Sequence, residues 1–472
     1  MTRALPRVEG RPPRVALLVY NDAHADSRVI KTAESLRSAG AQVRIVAVAR
    51  ARAGYAEGPD TVGAGIPVWR TPEFELRRHA PWLLRVGRRL LRRRTSDPTL
   101  GAPVRGAPSA PGPWQEPVTD IVGARRSWSS SARGRAAATG RDLWLRTYRV
   151  LSLGLYWIEV VRATTAWRPD VVHANDGNTL APAMLVARGT GARVVYDAHE
   201  LWRHRNVRRD RPVAPLVEAL IEMVAIRRVD GVITVSPSIA CWLQDTYGLP
   251  VRPSLVRNIP RSSPAPLDPT VGRLRKLASI GPDTQVIAYG GRLTTSRGIE
   301  ETLQALALLP PQVHFVLLGY GEPDYLDLLR QRIAELHLGA RVHLVGKVAP
   351  DQVATALADA DLSVVYVRPI CLSYEFSLPN KLFESIHAGL PVAAADLPDT
   401  AAIVRSHGVG EIFGVDSPVD MAATITRLLA DPQRYRDAAV TAARELTWEH
   451  EEVELVELYT RVLDRPAGAP AP

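Results

Sequence analysis

From residue 14 to the end of the chain, short apolar runs alternate with longer stretches in which apolar residues recur every three to four positions. That alternation is the pattern of parallel strands joined by amphipathic helices, so it predicts an α/β fold with doubly wound sheets. Strands are expected at 14–20, 42–49, 170–173, 193–198 and 231–235, with helices at about 27–39, 179–188 and 213–229. Asp26 or Ser27 is the expected cap of the first helix, and Gly40 its stop. Around 258–282 the prolines cluster (Pro260, Pro264, Pro266, Pro269, Pro282), and a second series then begins, with strands at 285–289, 313–318, 341–345, 362–367 and 391–394. Two Rossmann-like domains facing each other across a cleft follow from this layout: 1–258, a linker 259–282, and 283–430. Two further helices over 431–464 are expected to pack back on the first domain, followed by a disordered tail at 465–472.

Composition changes the picture in one place. The 472 residues carry a formal charge of +10, yet the segment from Arg77 to Arg141 holds 14 Arg against Asp97, Glu116 and Asp120, a net of +11. The rest of the chain is close to neutral, so the basic character belongs to an insert, and nucleic-acid binding over the whole surface is not expected. Residues 96–140 are rich in Pro, Gly, Ser and Ala and predict disorder. Arg77 to Arg94 places Trp82, Leu83, Val86, Leu90 and Leu91 at helical spacing opposite Arg85, Arg88, Arg89 and Arg92, the pattern of a helix lying on an anionic membrane. A charged helix packed on its own domain is the alternative. Cys241 and Cys371 are too few for a disulfide framework, and no apolar run approaches 18 residues, so a cytoplasmic or peripheral protein is expected.

The densest chemistry lies in Ser377-Leu-Pro-Asn-Lys-Leu-Phe-Glu384. Pro379 fits a first helical turn, whose free N–H groups, with Asn380 and Lys381, would face an anion. Glu384 lies one turn below Asn380 on the same face, where a carboxylate suits hydroxyl donors such as those of a ribose. An ordinary capped helix with a solvated Glu is the competing reading. Tyr289-Gly-Gly-Arg-Leu-Thr-Thr-Ser-Arg-Gly298 follows a strand and opens a helix, so Gly291 allows close backbone approach while Arg292 and Arg297 supply fixed positive charge. Gly319 and Gly346 end two further strands and can flank a base, although turn chemistry explains them as well.

In the first half, Asn21, Asp22, Asp26 and Arg28 follow the first strand, at the carboxyl edge where ligands of such sheets gather. A polar turn and helix cap would look the same. That loop contains no glycine, which argues against NAD or FAD. His199 ends another strand at this edge and is either structural or turned towards the cleft. Asp359-Ala-Asp361 matches a metal-binding D-x-D spacing but runs from a helix directly into a strand, so it is read as structural, and no metal or cofactor is expected.

Taken together, these motifs resemble a family 4 retaining glycosyltransferase of GT-B fold. The resemblance rests on Asp26-Ser-Arg-Val-Ile-Lys31, Asp170-Val-Val-His-Ala-Asn-Asp176, Tyr196-Asp-Ala-His-Glu-Leu201, Ile233-Thr-Val-Ser-Pro237, Arg257-Asn-Ile-Pro260, Gly291-Arg-Leu293 with Arg297-Gly298, and Ser377 to Val392. It implies that Arg292 and Arg297 hold a nucleotide diphosphate and that Glu384, the second glutamate of an E-x7-E motif, binds the ribose. The first glutamate of that motif is Phe376 here, and Glu375 is one residue out of register. The Ser-Leu-Pro-Asn-Lys variant implies a phosphate role for Asn380 and Lys381, with Ser377 and Leu382 beside them. His199 would contact the transferred sugar, and Asn21, Asp22, Asp26, Arg28, Asn175 and Asp176 would form the acceptor side. The implied activity is metal-free transfer of a sugar from a nucleoside diphosphate sugar to a glycan or lipid-linked acceptor. A nucleotide-sugar epimerase and a catalytically degenerate scaffold are the rivals.

Overall fold

The computed structural model describes residues 4–75, 78, 132–206, 214–263 and 269–465. In the first half the strands are β1 (Arg14–Leu18), β2 (Gln42–Val48), β3 (Gly58–Val62), β4 (Ile66–Thr71), β5 (Val171–Asn175), β6 (Arg193–Ala198), β7 (Gly231–Thr234) and β8 (Ser254–Leu255). They form one sheet in the order β3-β4-β2-β1-β5-β6-β7-β8, parallel throughout except for the β3–β4 hairpin at one edge. Its helices are α1 (Ser27–Ser38), α2 (Ala132–Trp167), α3 (Gly177–Thr190), α4 (Ala214–Ala225) and α5 (Pro237–Tyr247).

The second half builds β9 (Gln285–Leu293), β10 (Val313–Gly321), β11 (Val342–Gly346), β12 (Leu362–Val365), β13 (Val392–Ala395) and β14 (Gly410–Phe413) into a parallel sheet of order β11-β10-β9-β12-β13-β14. Its helices are α6 (Leu274–Ala278), α7 (Ile299–Leu308), α8 (Pro323–Glu335), α9 (Val353–Leu357), α10 (Leu372–Glu375), α11 (Asn380–His387), α12 (Pro398–His407), α13 (Pro418–Ala430), α14 (Pro432–Glu445) and α15 (Trp448–Asp464).

Both sheets are covered on two faces, which is why their strands read as continuous apolar runs. Alternation divides the side chains: Val15, Leu17, Val43 and Ile45 join one buried cluster, while Leu18, Val46 and Val48 join the cluster on the opposite face. In the second sheet Ile287, Tyr289, Phe315 and Leu317 face one core, and Val286, Ala288, Val316 and Leu318 the other.

The chain passes between the domains twice, each time within a few residues. Val256 belongs to the first domain's core and Ile259 to the second's; Leu446 lies in the second and Trp448 in the first. The two crossings are joined where the Trp448 N–H donates to the Pro260 carbonyl at 2.9 Å. Of the last two helices, α14 packs on the second domain through Ala439 and Ala442, and α15 packs on the first through Leu455, Leu458 and Tyr459.

Three expectations need correction. Only α15 of the two C-terminal helices packs back on the first domain; the small residues Ala439 and Ala442 seat α14 closely against the buried face of α11 in the second. Disorder over 96–140 fails at its end, where residues 132–140 begin α2: the alanine run at 136–138 favours helix, and the Pro- and Gly-rich composition lies upstream of it. Pro379 is not in the first turn but just outside it, as an extended cap residue (φ −75°, ψ 142°), so α11 starts at Asn380. The amphipathic segment Arg77 to Arg94 (apart from residue 78), residues 96–131 and the tail from 466 lie outside the described residues.

Candidate active site between the two domains

The second domain contributes a cationic, aromatic wall. Strands β9 and β10 stay paired beyond the rest of the sheet, so Gly291 lies directly opposite Gly319 and Arg292 opposite Tyr320. A Cβ on Gly319 would come within 1.8 Å of the Gly291 carbonyl, so the two glycine turns form a single feature. Gly291 lies within this ribbon, two residues before its end, at φ 126°, and Gly298 caps α7 at φ 73°, against the Tyr366 ring. Between these glycines stand Arg292, 3.6 Å from Glu322, and Arg297, 5.1 Å over the Tyr374 ring.

Helix α11 is held by its apolar face: Leu382, Phe383 and Ile386 are buried, and Ser385 Oγ donates to the Lys381 carbonyl at 2.7 Å and lies 2.7 Å from Ser363 Oγ. The Lys381 ammonium is buried 4.1 Å over the Tyr289 ring and has no hydrogen-bond partner among the described residues. Burial, reinforced by Arg297 and opposed by Glu384, holds its pKa well below the ordinary lysine range. Glu384 sits beside it, pushed up to about 7 by burial against the pull of Lys381 and Lys31. Asn380 is exposed at the first turn, and Ser377 Oγ donates to the Tyr374 carbonyl at 2.8 Å. A buried cation without a hydrogen-bond acceptor, beside an arginine and a helix N-terminus, is arranged for an anion the protein does not itself supply. Gly346 ends β11 at φ 80° and is exposed at the far side of this edge.

Across the cleft, His199 follows β6 between two carboxylates, with Nδ1 3.4 Å from Asp176 and Nε2 3.3 Å from Asp197. Its N–H also donates to Asp176 at 3.2 Å. Burial opposes the charge on the ring, but Asp176 and Asp197 outweigh it and push the imidazole up to about 10. Asp176 adopts φ 63°, ψ 166°, a strained conformation for a residue with a Cβ, and its side chain turns to His199 rather than capping α3. Asp197 is buried; Arg28 and His199 overcome that burial and hold it well below the usual carboxylate range.

The expected acceptor side is accordingly revised. Arg28 does not face the cleft: it is 4% exposed, its guanidinium is bidentate to Asp197 (2.9 and 2.7 Å), and it also donates to the Val256 carbonyl. Asn175 is likewise buried, donating to the Leu18 carbonyl at 3.0 Å. Asn21 and Asp26 hold each other at 2.9 Å, and Asp26 accepts from the Val29 N–H as the cap of α1. Asp22 accepts from the His24 N–H at 3.0 Å. Short polar side chains at a strand edge can meet a ligand, but they also close turns, and here that use dominates. Asp359 accepts from the Leu274 and Arg275 N–H groups, and Asp361 from Val286 N–H and the Arg275 guanidinium.

Sequence reasoning missed Lys31, Asp197, Glu200, Tyr289 and Tyr374. Lys31 is pushed down to about 7 by burial and feels Glu384 across the domain junction. A signal existed: only four of the 59 basic residues are Lys, and Lys31 and Lys381 are two of them, both acting on Glu384. The domains are joined beside this site, where Ser236 Oγ donates to the Phe376 carbonyl at 2.8 Å and the Ser238 N–H and hydroxyl both donate to Asp399.

Two parallel-sheet α/β domains with a cationic wall on one and a charged histidine on the other define a GT-B fold. Sequence profiles agree: one described as Glycosyltransferase Family 4 matches residues 118–261, and one described as Glycosyl transferases group 1 matches 284–431. The chain is a glycosyltransferase of this family 4-like type. It is 26% identical over 341 residues to a D-inositol 3-phosphate glycosyltransferase of Thermobispora bispora, covering 66% of this chain and 76% of that one. Among solved structures it is similar to sucrose-phosphate synthase of Thermosynechococcus elongatus (TM-score 0.66, 16% identity, covering 96% and 99% of the two chains). It is also similar to Anabaena HepE in complex with UDP-glucose (TM-score 0.62, 16% identity, covering 94% and 98%).

Proposed function

We propose that this glycosyltransferase moves a hexose or related sugar from a nucleoside diphosphate sugar to an acceptor hydroxyl, with retention at the anomeric carbon and without a metal ion. The observation that carries the reading is the buried Lys381 ammonium, which has no hydrogen-bond acceptor, beside Arg297 and the start of α11. A diphosphate placed there gives Lys381 the partner it lacks. Arg292, Arg297, Lys381 and the helix dipole then stabilise the charge that grows on the leaving phosphate, without moving a proton. Glu384 is the ribose ligand in this reading, because a carboxylate one turn below the phosphate site accepts from two neighbouring hydroxyls. Held as a cation, His199 acts as a hydrogen-bond donor towards the sugar and cannot serve as a base near neutral pH.

Incubating the protein with a panel of nucleotide sugars and following slow donor hydrolysis tests the reading. Release of free sugar and nucleotide supports a transferase, a changed sugar on intact donor indicates an epimerase, and no reaction indicates a scaffold. Activity is expected to survive EDTA; loss on chelation with recovery on Mn²⁺ or Mg²⁺ overturns the metal-free part.

The proposed acceptor is a lipid-linked or envelope glycan, reached through peripheral contact between the basic segment Arg77 to Arg94 and an anionic membrane. The support is the sequence pattern of that segment, with each arginine near such a surface contributing about 1 kcal/mol. No helix of the described residues is long and apolar enough to cross a membrane. Co-sedimentation with anionic and neutral vesicles, with and without residues 77–94, decides it: equal pelleting on both lipids, or no loss on deletion, rejects the contact.

A further inference from the structure

A donor site built from Arg292, Arg297, Lys381 and Tyr289 can hold phosphate and a base, but it offers little to the sugar. A sugar is a neutral polyol whose hydroxyls need acceptors. On the second domain's wall, Glu384 is engaged with Lys381 and Lys31, Glu375 is exposed, and position 376 is a phenylalanine whose side chain packs on the first domain's core. A recessed carboxylate with free lone pairs stands on the opposite wall. Glu200 follows His199 at the carboxyl edge of β6, recessed in the cleft although 37% of its side chain is still wetted. Arg205 Nε lies 3.8 Å away, beyond hydrogen-bond distance, and no described group donates a hydrogen bond to Glu200.

Its position is fixed from behind. Trp202 packs so closely on Gly177 at the start of α3 that a Cβ there would meet the ring at 2.4 Å, and the Arg205 guanidinium stacks 3.1 Å over the same ring. The charged and titratable groups around Glu200 come from both domains: His199 and Asp176 beside it, Arg205 after it, and Arg297 and Cys371 from the second domain. Glu200 thus lies within electrostatic reach of a diphosphate-binding cation without forming a hydrogen bond to it.

We propose that Glu200 is a substrate-binding residue of the transfer reaction, a carboxylate that accepts hydrogen bonds from sugar hydroxyls across the cleft from the diphosphate site. The inference rests on the nucleotide-sugar reading above. Burial pushes the Glu200 carboxyl up to about 7, against the pull of Arg205, so its acceptor strength grows as pH rises through neutrality. A hydroxyl of the transferred sugar and one of the acceptor offer the same chemistry, and the experiment distinguishes them.

The test compares native protein, Glu200→Gln and Glu200→Ala for binding of UDP and of GDP by calorimetry. It also follows hydrolysis of UDP-glucose and of GDP-mannose without acceptor, and transfer to a panel of glycosides. Nucleotide affinity is expected to stay within about twofold of native. Turnover by Glu200→Ala should fall about 30-fold or more, and Glu200→Gln should fall less and lose the rise in activity through pH 7. A fall in acceptor-free hydrolysis assigns the contact to the transferred sugar; intact hydrolysis with a raised acceptor KM assigns it to the acceptor. Turnover within threefold of native in both assays, or nucleotide affinity lost in step with turnover, overturns the proposal. Native protein that neither binds a nucleotide nor hydrolyses a donor instead rejects the reading on which the proposal rests.

Discussion

Glu384 and Lys381 show how far burial shifts single residues in this cleft. In water they would be an ordinary ion pair. Here both are recessed against Tyr289 and Lys31, and each is pushed towards its neutral form, so the site is poised to gain charge when a diphosphate arrives. Arg292→Ala and Glu384→Gln are each expected to lower turnover about 100-fold, the usual scale for losing one group that stabilises a developing charge, with the melting temperature close to native. Steady-state kinetics on the donor identified by the panel, with thermal unfolding, checks this; near-normal turnover by Arg292→Ala removes it from the diphosphate site. His199 supplies the alkaline limb of the pH dependence. Its folded pKa of about 10 is raised above the ordinary 6.5, so its contribution to stability is complete below about pH 6.5 and is lost as pH rises through 10. Asp176→Asn removes one of the two carboxylates and is expected to move the alkaline loss of activity towards neutrality. Activity measured from pH 6 to 11 reads that shift, and an unchanged alkaline limb rejects Asp176 as the group that holds the ring charged.

At the scale of elements, the β9–β10 ribbon and the turn into α7 place the arginines. Gly298 carries φ 73° at the cap of α7, and a Cβ there would lie 2.5 Å from the Tyr366 side chain. Gly298→Ala is therefore expected to cost roughly 1–3 kcal/mol through backbone strain and the clash, and to displace Arg297 with it. A lowered melting temperature together with a raised donor KM is the expected pair of results; a lowered melting temperature with an unchanged KM would show that Arg297 does not depend on this turn. The elements themselves were largely legible. Strands buried on both faces read as apolar runs, and the 193–198 strand appears over those residues. The β3–β4 hairpin, β8 and β14 were not legible: β3, β8 and β14 are short, half-exposed edge strands with a weak apolar signal, and β4 alternates buried and exposed positions, with Pro67, Trp69 and Arg70 interrupting the apolar run.

For the whole molecule, the relation of the two domains depends on the last helix. Trp448 is fully buried in the first domain's core, donates from Nε1 to Ser35 Oγ at 2.9 Å, and immediately follows the second crossing of the chain. Trp448→Ala leaves a large cavity at that junction and is expected to cost about 3–5 kcal/mol. Scanning calorimetry should show an earlier first transition, assigned to the first domain, and weaker nucleotide binding where Lys31 and Glu384 meet across the junction. A single native-like transition rules out this coupling.

What the sequence determined by itself is local: the strand and helix periods, the proline-rich passage between the two series, and the helix start at 377–384, because each depends on residues close together in the chain. Which polar residues reach the cleft was decided by tertiary structure. Arg28 and Asn175 have the chemistry of ligand-binding residues, yet contacts 169 and 157 residues away take up their side chains inside the first domain. Glu200, one more carboxylate in the sequence, has no hydrogen bond from any described residue. That difference arises from burial and long-range pairing, which set whether a polar group's partners are protein or ligand, and spacing along the chain does not encode either.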